Sequence, residues 1–233
     1  MLFFRSLVFF VLKAAFTVPF ALFILVLFFL PPIPRYRAIT LWARMVIWLA
    51  RVIVGIRYEV QGLENLPKEP CVVLSKHQSA WETIAFQLIF PPLSFVLKKN
   101  LLYIPFFGWG LALFSPIAID RAAGREAMKQ IEMQGKERLK TGFWVLVFPE
   151  GTRVAPGEKG NYQVGGPWLA SKAGVPVLPV AHNAGRCWPK NAFIKQPGII
   201  TVVIGPPIPT VGRKPTQVLA ETEAWIENAM SRL

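Results

Sequence analysis

Little in this chain invites a disulfide, a metal or a familiar hydrolase. Cysteine occurs only at Cys71 and Cys187 in 233 residues. Two isolated cysteines make no framework; they read as free, mostly buried thiols of a reducing compartment. Neither has a metal-ligand neighbour at short spacing, so no metal site is expected. Histidine is equally scarce, confined to His77 and His182. No G-x-S-x-G elbow is present, which leaves a standard serine hydrolase unsupported. No P-loop occurs either, and Gly108-x-Gly110-x-x-Leu113 lacks the third glycine of a dinucleotide fingerprint. No internal repeat or low-complexity linker divides the chain.

Acid is missing from the first 58 residues, which carry seven basic side chains: Arg5, Lys13, Arg35, Arg37, Arg44, Arg51 and Arg57. More than half of the formal net charge of +13 therefore lies in the first quarter of the chain. There it alternates with long apolar runs, which points to an anionic membrane surface. A nucleic-acid partner is not expected, because no zinc spacing, RNA-binding aromatic signature or basic helix-turn-helix accompanies the charge.

Leu7 to Leu30 is almost wholly apolar, and Ala14–Leu30 carries no charge. At about 1.5 Å per residue the uncharged part reaches roughly 25 Å, short of the ~30 Å hydrocarbon core. Adding Leu7–Lys13 makes it long enough if Lys13 snorkels. The apolar region is too long for a cleaved signal peptide, and no small-x-small site follows. Leu30-Pro31-Pro32-Ile33-Pro34 ends the helix. Ala38 to Ile56 forms a second apolar segment, with Arg44 and Arg51 on one face. Trp42 and Trp48 suit the headgroup level. This segment reads as an interfacial or hairpin-partner helix rather than a clean span. Residues 1–56 are thus expected to form a two-helix hydrophobic membrane anchor. The expected place is the inner (cytoplasmic) membrane, with the remaining residues facing the cytoplasm.

From residue 57 to 233 strand-like and helix-like segments alternate. Strands are expected at Arg57–Val60, Cys71–Ser75, Ser94–Leu97, Pro116–Ile119, Phe143–Phe148, Val175–Ala181 and Ile199–Ile204. Helices are expected at Ser79–Phe90, Gly124–Thr141 and Pro215–Arg232, with Ile104–Phe114 a helix or loop. The all-apolar run Phe143–Phe148 reads as buried on both faces. Pro176 and Pro179 limit ladder donors, so Val175–Ala181 reads as an irregular or edge strand. The alternation predicts an α/β fold with a mixed, largely parallel sheet flanked by helices.

Four stretches can carry chemistry. In the first, His77 stands between a strand and a helix, with Glu82 five residues on. An imidazole is the natural general base near neutral pH, and a carboxylate can orient it. Ser79-x-x-Glu82 is also a capping box, and both readings can hold together. In the second, Asp120-Arg121 follows a strand. It is a surface ion pair or places a guanidinium beside a phosphate. The third is Phe148-Pro149-Glu150-Gly151-Thr152-Arg153. Glycine permits close backbone approach, glutamate can accept from a hydroxyl, and threonine and arginine can hold a phosphate. The loop from Val154 to Gly166 can cover such a site. In the fourth, Val175 to Asn183, His182 reads as a satisfied structural histidine.

Together these stretches resemble the 1-acyl-sn-glycerol-3-phosphate O-acyltransferases, the lysophosphatidic acid acyltransferases. The resemblance covers about residues 57 to 210. It rests on the order His77-x-x-x-x-Glu82, Ile119-Asp120-Arg121, Phe148-Pro149-Glu150-Gly151-Thr152-Arg153 and Val175-Pro176-Val177-Leu178-Pro179-Val180. A Lys-Lys-Glu-Leu run common in the family reads Lys98-Lys99-Asn100-Leu101 here. The family's acidic place usually holds aspartate. Glutamate is one methylene longer, so the backbone or the imidazole must shift to keep the contact.

The resemblance implies a membrane-bound enzyme that moves a fatty acyl group onto lysophosphatidic acid, giving phosphatidic acid. His77 would be the general base and Glu82 the orienting acid. Glu150, Gly151, Thr152 and Arg153 would bind the acceptor's glycerol-phosphate, with Arg121 and Lys98 or Lys99 adding positive charge. The co-substrate would be acyl-CoA or an acyl carrier protein, with no cofactor. Phe106, Phe107, Trp109 and Leu111 to Phe114 are candidates for the acyl-chain surface. Glycerol 3-phosphate, another lysophospholipid or an ornithine-lipid precursor stands as an alternative acceptor. The alternative of another class is a non-catalytic, membrane-anchored lipid-binding protein.

Overall fold

A computed structural model describes residues 1–104 and 107–233; the side chains of Phe107 and Arg121 also lie outside the described set. Seven strands form one sheet: β1 (Ile56–Gln61), β2 (Val72–Ser75), β3 (Leu93–Lys98), β4 (Ile117–Ile119), β5 (Trp144–Val147), β6 (Val177–His182) and β7 (Gly198–Ile204). Their order is β1-β7-β6-β2-β5-β3-β4. Only the β6–β7 pairing is antiparallel. Five neighbouring strands, β6, β2, β5, β3 and β4, therefore run in one direction.

Alternation along the central strands feeds two cores. Val73 and Leu146 face one side, packed with Phe86, Ala43 and Val46. Val72, Leu74, Val145 and Val147 face the other, with Ile131 and Leu169. An all-apolar strand is what burial on both faces requires. Helices α2 (Pro32–Leu49) and α3 (Trp81–Ile89) cover the first side. Helices α5 (Arg125–Lys140) and α6 (Gly165–Ala173) cover the second, and α8 (Pro215–Met230) packs beside β6. In α5, Ala127, Ile131, Gly135 and Leu139 are buried at every fourth position. Its wet face carries the Glu132–Lys136 pair at 2.7 Å. Two short helices complete the count among the described residues: α4 (Phe107–Ala112) and α7 (Ala184–Cys187).

At the N-terminus α1 (Leu2–Leu25) continues as a 3-10 turn to Phe29. Leu2–Phe29 is long and apolar enough to cross a bilayer, and only 6% of its most apolar window is buried. The helix is tied to the body at a few points. Phe9 packs edge-on against Trp188, 5.3 Å between centroids, and Ser6 Oγ accepts the Lys195 N–H at 3.0 Å. The partly exposed Lys13 ammonium lies over the Phe9, Phe10 and Trp188 rings at 5.8–5.9 Å. Leu30 and Pro31 separate the 3-10 turn from α2, which opens on Pro32. The second helix is amphipathic, burying Tyr36, Ile39, Ala43, Val46 and Ile47 against the body while Arg37, Arg44 and Trp48 stay exposed. It is not a span. Trp42 turns inward, donating its Nε1–H to Thr17 Oγ1 at 2.9 Å.

One strand differs from expectation. β6 is not an edge or irregular strand but lies between β2 and β7. The β7 ladder begins only at Val180. Beyond it the Pro179 carbonyl accepts the Gly205 N–H at 2.9 Å. The proline's missing donor thus falls where no ladder bond is needed. Sequence patterning also overlooked α6 and α7, which lie in or beside the glycine- and proline-rich stretches.

His182, at the end of β6, is fully buried. Its Nδ1 accepts the Ala184 N–H at 3.2 Å, so Nε2 carries the proton and donates to the Lys76 carbonyl at 2.8 Å. Burial pushes its pKa below the ordinary 6.5 despite the nearby Glu82 carboxylate. A histidine depressed in the folded state binds fewer protons than in the unfolded chain. Its contribution is therefore complete above the unfolded pKa and lost as pH falls towards the folded one. Stability should drop below about pH 6.5 by up to ~1.4 kcal/mol per pH unit from this group. Thermal melts between about pH 7.5 and 5 should show a shallower decline for His182→Gln than for the parent chain. An unchanged slope contradicts the assignment.

Candidate active site

The parallel strands deliver all the conspicuous motifs to one edge of the sheet. His77 follows β2, Glu150 follows β5, Lys98 and Lys99 end β3, and Asp120-Arg121 follows β4. Those strands are neighbours in the order β2-β5-β3-β4. Adjacent strands lie about 4.8 Å apart, so the motifs stand in a row beyond the carboxyl ends, the usual ligand-binding edge of α/β sheets.

His77 is held through its ring and through its peptide. The ring stacks on Phe148, 3.8 Å between centroids and 14° from parallel. Its Nδ1 lies 2.9 Å from Glu82 Oε1. Against a carboxylate Nδ1 is the donor, which leaves the Nε2 lone pair as the acceptor of the neutral ring. The imidazole is 14% exposed, whereas the Glu82 side chain is fully buried. That same Oε1 also accepts the Gln78 N–H at 2.9 Å and the Ser79 N–H at 2.7 Å. Ser79 Oγ accepts the Trp81 N–H at 3.0 Å. The glutamate therefore fixes the turn that leads into α3 and contacts the histidine at once. Its extra methylene is absorbed by the turn over residues 77–80, which aims two consecutive N–H groups at one oxygen. Glu82 Oε2 is buried with no hydrogen-bond partner among the described residues. Burial works to raise the Glu82 pKa. His182, the His77 contacts and the Ser79 N–H outweigh it and hold the carboxyl below its ordinary value.

The Phe148–Arg153 stretch closes on His77 from the neighbouring strand. Gly151 has φ +68°, a conformation that favours glycine, and its N–H returns to the Phe148 carbonyl at 3.0 Å. Glu150 Oε2 accepts the His77 N–H at 2.8 Å. The Val154 N–H donates to the His77 carbonyl, also at 2.8 Å. Glu150 is buried, and its Oε1 lies 2.8 Å from Lys76 Nζ as an ion pair. Burial raises the Glu150 pKa, and the Lys76 ammonium and His77 N–H only partly offset that. Thr152 is exposed and Arg153 half-buried. The Arg153 carbonyl accepts from Lys190 Nζ at 2.8 Å. Its guanidinium has no ion-pair partner among the described residues.

Lys98 and Lys99 are exposed at the end of β3 and form no ion pair among the described residues. Asp120 caps a short turn, accepting the Ala122 N–H at 3.0 Å, and the Arg121 side chain lies outside the described set. So do Phe106 and the Phe107 side chain, both candidates for the acyl surface. Trp109 is exposed, whereas Phe114 packs edge-on against Tyr36 at 6.0 Å. Sequence reasoning missed Lys76, Glu227 and Tyr162, which surround Glu150. The one local signal was a lysine immediately before the histidine at the end of a buried strand. Among the described residues no group of three or more metal-ligating side chains gathers.

The family model described as Acyltransferase matches residues 57–183. The chain is 54% identical over 215 residues to the 1-acyl-sn-glycerol-3-phosphate acyltransferase of Pseudomonas aeruginosa, covering 88% of this chain and 83% of that protein. It is 32% identical over 176 residues to the Saccharomyces cerevisiae protein of the same name, covering 70% of this chain and 56% of the relative. The crystal structure of the 1-acyl-sn-glycerophosphate acyltransferase of Thermotoga maritima has the same fold. Its TM-score is 0.79 at 23% identity, over 99% of this chain and 95% of that one. With the family match spanning over half the chain, and identity to one relative above one half across most of both proteins, the chain belongs to the 1-acyl-sn-glycerol-3-phosphate acyltransferase family.

Proposed function

We propose that this acyltransferase moves a fatty acyl group from an acyl thioester to the free hydroxyl of 1-acyl-sn-glycerol 3-phosphate, forming phosphatidic acid. The observation that carries the reading is the pairing of His77 Nδ1 with Glu82 at 2.9 Å, beside the phosphate-competent turn that ends in Arg153. His77 Nε2 takes the hydroxyl proton as the oxygen attacks the thioester carbon. The C–O ester bond forms, the C–S bond breaks, and the proton passes to the departing thiolate. No covalent enzyme intermediate is needed. Glu82 holds the ring in the Nδ1–H tautomer and balances the imidazolium. Thr152 and Arg153, with Lys98 and Lys99 at the end of the neighbouring strand β3, supply donors and charge for the acceptor's phosphate. Gly151 lets the turn approach the ligand closely. The thiol of the donor belongs to coenzyme A or an acyl carrier protein.

The apolar helix α1 supports attachment to the cytoplasmic membrane, where acceptor and product reside. The catalytic edge would face the cytoplasm. Turnover measured on salt-washed membranes tests reading and anchor together. Activity should remain in the washed membranes and favour 1-acyl-sn-glycerol 3-phosphate over glycerol 3-phosphate, other lysophospholipids and a lyso-ornithine lipid. His77→Ala should lower kcat by about 10²–10⁴-fold, the usual worth of general-base catalysis, while the protein still melts cooperatively. Activity in the wash, preference for another acceptor, or a fully active variant would each overturn the corresponding part.

Arg153→Ala should raise KM for the phosphate-bearing acceptor by roughly tenfold or more, the worth of a charge-assisted hydrogen bond, and leave KM for the acyl donor nearly unchanged. Equal effects on both substrates contradict the placing of Arg153 at the acceptor phosphate.

A further inference from the structure

Lys76 is the residue before the histidine, yet its side chain is only 1% exposed. A buried ammonium carries three donors; Lys76 uses them in two hydrogen bonds and a close ion pair. Nζ lies 2.8 Å from Glu150 Oε1, 3.0 Å from Glu227 Oε1 on α8 and 3.0 Å from the Glu158 carbonyl. The Tyr162 hydroxyl donates to the same Glu227 oxygen at 2.8 Å. A side chain at Gly160 would place its Cβ 2.8 Å from Glu150 Cγ, so the loop that carries Glu158 and Tyr162 seals the cluster. One cation thus joins the histidine turn, the turn after β5, the following loop and the last long helix.

The consequence concerns Glu150. Both of its oxygens are engaged within the protein: Oε1 with Lys76 and Oε2 with the His77 N–H at 2.8 Å. We infer that Lys76 is a positioning residue for His77. Its ammonium keeps Glu150 an ionised acceptor for the His77 N–H, so this carboxylate serves the base rather than the acceptor substrate. Glu82 then fixes the ring, Glu150 fixes the peptide that carries it, and acceptor recognition passes to Thr152 and Arg153. The titratable groups around Glu150 are Lys76, His77, Glu227 and Tyr162; Lys76 is the one ammonium among them. A protonated Glu150 is a weaker acceptor, and a loosened His77 moves out of attacking distance.

The inference rests on the acyltransferase reading, which wild-type turnover tests separately. Lys76→Met removes the cation at similar volume. It should lower kcat by about 10–100-fold, the effect of a misplacement of about 1 Å, while KM for the acceptor changes less than about twofold. The acid limb of the rate profile should move to higher pH, because Glu150 without its counter-ion protonates more readily. The double variant K76M/E150Q places an amide oxygen that accepts at every pH. It should regain most of kcat and return the acid limb to its original place. Wild-type kcat and pH profile in K76M would overturn the inference. So would a double variant as slow as the single one, or a rise in acceptor KM larger than the fall in kcat. If neither variant shows a cooperative melt, the cluster is a folding lock, and the positioning role is refuted.

Discussion

A single carboxylate oxygen, Glu82 Oε1, carries the site. It gathers three N–H groups, from the His77 ring and from the peptides of Gln78 and Ser79. Each charge-assisted hydrogen bond of this kind is worth about 1.5–3 kcal/mol, enough to hold a fully buried carboxylate ionised against desolvation. The turn cannot relax without losing these bonds, and the imidazole cannot rotate without losing its partner. The turn before α3 and the orientation of the His77 ring are therefore one structure. An aspartate would need the same turn drawn closer to the helix; the glutamate spans the gap.

The sheet makes this local arrangement useful. Five parallel strands end on one edge, and the strand nearest β2 on one side is β5. The neighbouring turn can then clamp the His77 peptide by both its N–H and its carbonyl. On the other side, β6 presents His182 to the Lys76 carbonyl. The two histidines of the chain thus hold adjacent places with opposite proton positions. His77 bears its proton on Nδ1 to face a carboxylate, and His182 bears it on Nε2 to face a carbonyl. Burial keeps the second neutral and structural, while partial exposure leaves the first available for chemistry.

Much of this was legible in the residues, because period and punctuation report directly on burial. The all-apolar run Phe143–Phe148 gave a strand buried on both faces, and the stretch Gly124–Thr141 gave a helix. His77, Glu82 and the Glu150–Arg153 stretch were recognisable by order and spacing. Other features were hidden for physical reasons. Pro179 suggested an edge strand because sequence does not say which ladder bonds a given strand must make. The burial of Lys76 was not legible, because its counter-charges come from residues 74 and 151 positions away, and long-range ion pairs leave no local pattern. The contacts of Glu150 with Lys76 and the His77 N–H were hidden for the same reason, since both partners lie more than 70 positions away. Glycine and proline in the stretch around Gly165–Pro167 concealed α6.

The central claim is that Glu82 fixes His77 in the Nδ1–H tautomer, freeing Nε2 to act as base. With only two histidines in the chain, nitrogen-15 spectra of imidazole-labelled protein in detergent resolve the question directly. At a pH where both rings are neutral, the account predicts one Nδ1–H ring, lost from the spectrum of His77→Gln, and one Nε2–H ring from His182. A His77 ring protonated at Nε2 would contradict it.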